Sequence, residues 1–217
     1  MSWLDLAVHL ITWFNVFVLG YFVALNTTYL LLFLLSLVAV FFFVRRTFFS
    51  DYRQIMQSEM TCPISIIVAA HHEERNIVET VRSLLMVNYG EFEVVVVNDG
   101  STDLTLSRLV RAFDLTLVDR VYKRSIPTEQ VRGVYSSLVQ PRITVVDKVQ
   151  GGKSDALNAG INVCRYPLFC SIDADSVIED NALLRVVKPF MEHPQETVAA
   201  GGIVRIVNGC EVREGRV

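Results

Sequence analysis

Cysteine is sparse: Cys62, Cys164, Cys170 and Cys210 are the four in 217 residues. The gaps between them, 102, 6 and 40 residues, fit no zinc-ligand spacing and no dense disulfide framework, so they read as free thiols in a reducing compartment. Charge is also modest, at 20% of residues with a net charge of −3. No basic stripe is visible, which argues against nucleic acid as a partner. There is no G-x-G-x-x-G, hence no Rossmann dinucleotide signature, and no G-x-S-x-G elbow of a serine hydrolase. Gly151-Gly152-Lys153-Ser154 has the ending of a phosphate-binding P-loop, but the glycine that motif needs five positions earlier is Asp147. Internal repeats and low-complexity linkers are lacking, and no Lys or Arg precedes Arg45.

Hydrophobicity, by contrast, is high, at 52% of residues and a mean hydropathy of +0.39. The excess lies in one block. Residues 1–44 contain 34 apolar residues, and the remaining 173 contain 78, an ordinary share for a globular domain. Disorder is excluded by that composition. From Trp3 to Val44 only Asp5 is charged, and the block is too long and too poor in basic residues for a signal peptide. Tyr21 to Val44 supplies 24 residues, enough to cross a bilayer as a helix. Asn26-Thr27-Thr28 interrupts the block, which leaves two readings: one span preceded by an interfacial or kinked helix, or a tight hairpin of two spans. Arg45, Arg46 and Arg53 follow at once, so the positive-inside rule places the following domain in the cytoplasm, against the inner face of the cell membrane. The organisation expected is a membrane anchor over 1–44, a juxtamembrane linker over 45–62 and a globular part over 63–217.

Within the globular part, apolar runs at Ile64–Ala70, Phe92–Val97, Arg142–Val146 and Leu168–Ile172 have the form of strands buried on both faces. Helical stripes lie between them: Ile77, Val81, Leu84 and Leu85, then Leu104, Leu106, Leu109, Val110 and Phe113, then Lys153 to Val163, and Asn181 to Met191. Residues 114–140 read as a connection with short strands, and Thr197 to Val207 as a fifth strand. Strands alternating with amphipathic helices predict an α/β fold, a mostly parallel sheet covered by helices on both faces.

The polar residues fall at strand ends. His71 to Glu74 follows the first strand, Asn98 to Asp103 the second and Asp173 to Asp175 the fourth. In an open parallel sheet, ligands bind beyond the carboxyl ends of the strands, so Glu73, Asp99, Asp173 and Asp175 are expected along one edge. Carboxylates crowded there need cations, which a divalent metal with a diphosphate, and Lys153, would supply. Taken singly, each piece has a plain explanation. Asn98-Asp99-Gly100-Ser101 is turn or cap chemistry, Glu73-Glu74 suits a helix start, and a lone lysine is normally solvated. His71 and His72 are adjacent, so their side chains diverge, and no third metal ligand accompanies them.

Together, Ile66-Ile67-Val68-Ala69-Ala70 with Glu73-Glu74, Val97-Asn98-Asp99-Gly100-Ser101-Thr102-Asp103, Gly151-Gly152-Lys153 with Ala156-Leu157-Asn158-Ala159-Gly160, and Ile172-Asp173-Ala174-Asp175 resemble the family 2 glycosyltransferases with the GT-A fold. The resemblance runs from about Pro63 to Val207. It is strongest to membrane-anchored synthases of β-linked polysaccharides, such as those of poly-N-acetylglucosamine, hyaluronan, chitin and cellulose. It implies inverting transfer from a UDP-sugar to a sugar or lipid-linked acceptor beside the lipid bilayer. It further implies that Asp99 holds the uracil and that Ala70, His71 and Glu73 line the donor site with Lys153. Asp173 then contacts the nucleotide and metal, and Asp175 binds Mg²⁺ or Mn²⁺. His71 stands where the family usually has tyrosine, and His72 where it has asparagine. The family's general base and its Q-x-x-R-W motif have no counterpart in the 42 residues after Asp175. The expectation is therefore an incomplete GT-A domain, the donor half of a longer enzyme and inactive by itself. The alternatives are a polyprenyl-phosphate glycosyltransferase and a non-catalytic, membrane-tethered nucleotide-sugar-binding fragment.

Overall fold

A computed structural model describes residues 3–48 and 61–202. The chain divides into two units, residues 1–51 and 52–217. The first contains helix α1 (Trp3–Phe48), 46 residues without a break. Its apolar side chains are exposed all round, and Asp5–Arg45 is long and apolar enough to cross a membrane. The Asn26-Thr27-Thr28 interruption makes no turn. Asn26 Nδ2 and the Thr27 and Thr28 hydroxyls donate to the carbonyls four residues back, at 2.7, 2.8 and 2.9 Å. Each polar side chain is thus satisfied by its own helix, and the backbone ladder passes through. Among the described residues 3–48 there is neither a hairpin turn nor a separate leading helix, and the helix continues past Arg45 to Phe48.

The second unit is built on a six-stranded mixed sheet, ordered β3-β4-β5-β2-β1-β6. Strands β1 (Ile64–Ala70), β2 (Phe92–Asp99), β5 (Ile143–Lys148) and β6 (Leu168–Asp173) are parallel. Strands β3 (Leu115–Val118) and β4 (Val131–Ser137) extend the sheet antiparallel from β5. These last two come from the stretch 114–140. Thr197 to Gly202 forms no strand, and residues 203–207 of that expected element lie outside the described residues.

Helices cover both faces, as the alternating pattern implied. Helices α2 (Ile77–Leu85), α3 (Thr105–Phe113) and α5 (Ala182–Glu192) bury Val81, Leu84, Leu109, Leu183, Leu184 and Val187 against one face, with Ile66, Val68, Val94 and Val96 of the sheet. Helix α4 (Lys153–Val163) covers the other face, with Ala156, Ala159 and Val163 against Ile67, Val95 and Val97. Each such aliphatic side chain contributes roughly 1.5–3 kcal/mol on full burial. The approach of α4 is close: a Cβ at Gly160 would lie 2.5 Å from Ile67 Cγ2. Small residues at Ala156, Ala159 and Gly160 therefore set how near α4 comes to β1 and β2, and hence where its first turn stands. Strand order reverses at β1. From there β2 and β5 lie to one side and β6 to the other, which makes the carboxyl end of β1 a topological switch point.

Candidate functional site

At that switch point lies a cleft of about 360 Å³. Its wall includes Ala70, His71, Glu73, Asp99, Lys153, Asp173 and Asp175, together with Gln150, Gly152 and Ala156. All seven residues singled out in the sequence come together there. The sheet register explains why. Ala70 is opposite Asn98 and Ala69 opposite Asp173, so three strands end level with one another.

Asp99, the last residue of β2, is buried at 4% exposure and ionised in a basic cradle. Its Oδ1 accepts from Lys148 Nζ at 2.7 Å and from the Gly151 N–H at 2.9 Å, and its Oδ2 accepts from the Gly152 N–H at 2.7 Å. Burial pushes this carboxyl up, but the Lys148 ammonium and the two amide donors outweigh it and hold Asp99 below the usual carboxylate value. Lys148 is itself at 0% exposure. Besides Asp99, its ammonium meets Asp155 Oδ2 and the Val149 carbonyl, each at 2.5 Å. Burial alone would lower its pKa, and the two carboxylates reverse that and raise it.

The strand-end loops are clasped to one another. Glu74 Oε2 accepts from the Leu104 N–H at 3.0 Å, and Thr105 Oγ1 from the Glu73 N–H at 3.0 Å. Asp103 Oδ1 takes the Thr105 N–H and hydroxyl, at 3.0 and 2.6 Å, a local Asx-type turn leading into α3. His72 has a positive φ of 58°, and its Nε2 accepts from the Thr102 N–H at 3.2 Å. It thus fastens one loop to the next. His71 Nδ1 donates to the Asp99 carbonyl at 2.7 Å, which fixes its ring at the cleft. Gly100 has φ +64°, and a Cβ there would stand 2.6 Å from the Gln150 amide nitrogen, so only glycine fits between the loops.

On the β6 side, Lys153 Nζ pairs with Asp173 Oδ1 at 2.5 Å, and both side chains are more than half exposed. Asp175 is exposed. The turn that carries both aspartates is pinned from below: the buried Thr80 hydroxyl donates to the Ala174 carbonyl at 2.6 Å. Among the described residues no three His, Cys, Asp or Glu side chains are grouped as a metal cage.

Gln150 of the cleft wall, and the buried Lys148 and Thr80 that hold Asp99 and the Ala174 carbonyl from behind it, are residues the sequence alone does not point to. The apolar run itself ends at Val146, but β5 continues through Asp147 and Lys148, both buried. Parallel register then sets Lys148 opposite Asp99. The available signal was V-V-D-K, a lysine directly closing an apolar run.

A family model described as Glycosyl transferase family 2 matches residues 65–214. The chain belongs to glycosyl transferase family 2. Among curated relatives of this family 2 chain, poly-beta-1,6-N-acetyl-D-glucosamine synthase of Staphylococcus epidermidis is 27% identical over 141 residues, covering 64% of this chain and 28% of the relative. Beta-monoglucosyldiacylglycerol synthase of Trichormus variabilis is 30% identical over 190 residues, covering 85% of this chain and 33% of the relative. The chain thus spans about a third of the length of the curated relatives it matches. Among solved structures, the mannosyltransferase PcManGT of Pyrobaculum calidifontis, in complex with GDP-Man and Mn²⁺, is 20% identical. It aligns over 72% of this chain and 42% of its own, with a TM-score of 0.46. S. aureus TarS 1-349 in complex with UDP-GlcNAc is 24% identical over 61% of this chain and 32% of its own, with a TM-score of 0.45.

Proposed function

We propose that the cleft binds a UDP-sugar and a divalent cation and supplies the donor site for inverting glycosyl transfer in polysaccharide synthesis. The observation that carries this reading is the meeting of Asp99, Lys153, Asp173 and Asp175 at one sheet edge, with His71 and Ala70 on the side of the base. Asp99 accepts from the nucleobase, and the His71 ring stacks beside it. Lys153 stands within reach of the diphosphate. Glu73 completes the wall.

The donor set suits Mg²⁺ or Mn²⁺. Asp173 and Asp175 offer hard carboxylate oxygens from one turn, and such ions are commonly held by one or two carboxylates plus substrate phosphates rather than by a full protein cage. When bound, the ion supplies positive charge against the leaving diphosphate. In the transfer itself, the acceptor hydroxyl oxygen forms a bond to the anomeric carbon from the side opposite the diphosphate. The bond from that carbon to the phosphate oxygen breaks, and UDP leaves. The hydroxyl proton passes to a base outside the donor cleft.

The test is UDP binding to the full chain in detergent micelles, with and without MnCl₂, by calorimetry. Binding that requires Mn²⁺ and is lost in Asp175→Ala supports the metal role, and metal-independent binding removes it. Tight binding by Asp99→Ala removes the nucleobase role.

A lipid-linked acceptor is the second reading, for a polyprenyl-phosphate or other lipid glycosyltransferase. The apolar helix α1 and the lipid-glycosylating name of the Trichormus relative favour it. Release of UDP on adding a lipid acceptor, and not on adding an oligosaccharide, would distinguish the two. For orientation we take Arg45 and Arg46 as cytoplasmic, which cysteine labelling from either side of sealed vesicles tests.

A further inference from the structure

Lys148 is a buried cation that belongs to no expected role in the cleft. Three of its surroundings are acceptors, Asp99, Asp155 and the Val149 carbonyl, so the ammonium's three donors are all used. Its effect falls on Asp99. A carboxylate has about four acceptor sites. Oδ1 spends two on Lys148 and Gly151, and Oδ2 spends one on Gly152, which leaves one site on Oδ2. Asp99 is part of the cleft wall, where a bound base would meet that remaining site.

We propose that Lys148 is a positioning residue that keeps Asp99 a carboxylate with one open acceptor site, and so selects a base presenting a ring N–H over one presenting a ring nitrogen lone pair. Uracil, with its imide N–H, is of the first kind, and cytosine of the second. The inference rests on the nucleotide-sugar reading and adds to it the group that sets base choice. A neutral carboxylic acid at the same place would donate instead of accept, and the preference would reverse. Asp99 is held ionised from β5 by Lys148, and Asp155 of α4 shares that ammonium. The other charged or titratable groups around it are His71, whose ring bonds the Asp99 backbone carbonyl, and Glu73, Lys153, Asp173 and Asp175 elsewhere in the cleft wall.

The experiment compares UDP and CDP binding to the full chain in detergent micelles with MnCl₂, from about pH 5.5 to 8. For the unsubstituted protein the expected result is a UDP preference of about tenfold or more, with the UDP-to-CDP ratio flat over that range, since the terminal phosphate titrates alike in both nucleotides. Lys148→Met removes the ammonium, so burial then raises the Asp99 carboxyl. The UDP-to-CDP ratio should fall toward one, and it should fall further as the pH is lowered. Where Lys148→Met does not fold, Lys148→Met with Asp155→Asn removes the carboxylate left without its cation and is read in the same way. Asp155→Asn alone leaves Lys148 on Asp99 and should keep the preference. If the Lys148 variants keep both ratio and pH profile while UDP still binds, this inference is overturned and the nucleotide-sugar reading stands. Equal binding of UDP and CDP by the unsubstituted protein also overturns it. Binding of neither nucleotide overturns both.

Discussion

Strand β2 carries two buried carboxylates on the same side of the sheet, Glu93 near its amino end and Asp99 at its carboxyl end, six residues or about 20 Å apart. They look alike locally. Glu93 is 1% exposed and accepts from the Ser65 hydroxyl at 2.7 Å, the Arg165 N–H at 2.6 Å and Arg165 Nε at 2.8 Å. Asp99 likewise takes one cation and backbone N–H groups. The difference lies in what surrounds them. The partner of Glu93, Arg165, is about half exposed and lies at the closed end of the sheet. The partner of Asp99 is wholly buried, and Asp99 itself borders the cleft. A buried, paired carboxylate is therefore no site marker by itself. By the same count each keeps one acceptor site, so what sets Asp99 apart is its place on the cleft wall at the switch point.

Substitutions at the two ends should separate stability from binding. Asp99→Ala carries the largest expected effect: UDP binding is lost, and removing one partner from Lys148 costs about 3 kcal/mol in denaturant unfolding. Glu93→Ala should cost about 2 kcal/mol, because water can reach Arg165, and should leave UDP affinity intact. If Glu93→Ala abolished UDP binding, the two ends would not be separable. Thr80→Val, which frees the Ala174 carbonyl, should cost about 1 kcal/mol and weaken Mn²⁺-dependent UDP binding several-fold, with recovery in Thr80→Ser.

The pair at the open end also fixes a pH window. Asp99 lies below its ordinary 3.8, so its contribution is present above that value and lost as the pH falls through the lowered one. Lys148 lies above its ordinary 10.5, so its contribution is present below that value and lost as the pH rises through the raised one. Between about pH 5 and 9 the pair should add no slope to unfolding free energy measured in urea. The smallest effect is expected for Asp175→Ala on stability, within about 0.5 kcal/mol, since the side chain is exposed.

Much of this was legible in the sequence because burial on both faces produces uninterrupted apolar runs. Ile64–Ala70 and the four valines of β2 could hardly be anything else. The meeting of Glu73, Asp99, Asp173 and Asp175 with Lys153 was legible for a related reason: polar clusters directly after such runs lie at one sheet edge, and the family resemblance added Ala70 and His71. Strands β3 and β4 were legible only as short strands somewhere in 114–140, without bounds, since they lie at the outer, half-exposed side, where Leu117 faces solvent and alternation fades. Lys148 was hidden because charge normally ends a buried strand, and here two carboxylates let it stay inside. Thr80 was hidden inside a helical stripe, where a threonine has the look of a neutral spacer.

Helix α1 sets a length constraint of its own. At about 1.5 Å per residue its 46 residues extend for about 69 Å, more than twice the roughly 30 Å of a bilayer's hydrocarbon. Fitting all of it inside by tilting would need an angle of about 60°, beyond the 0–40° range of membrane helices. A crossing by this rod thus leaves more than twenty residues for headgroups, water or another surface, and where the hydrocarbon begins along it is a question of mismatch rather than of hydropathy.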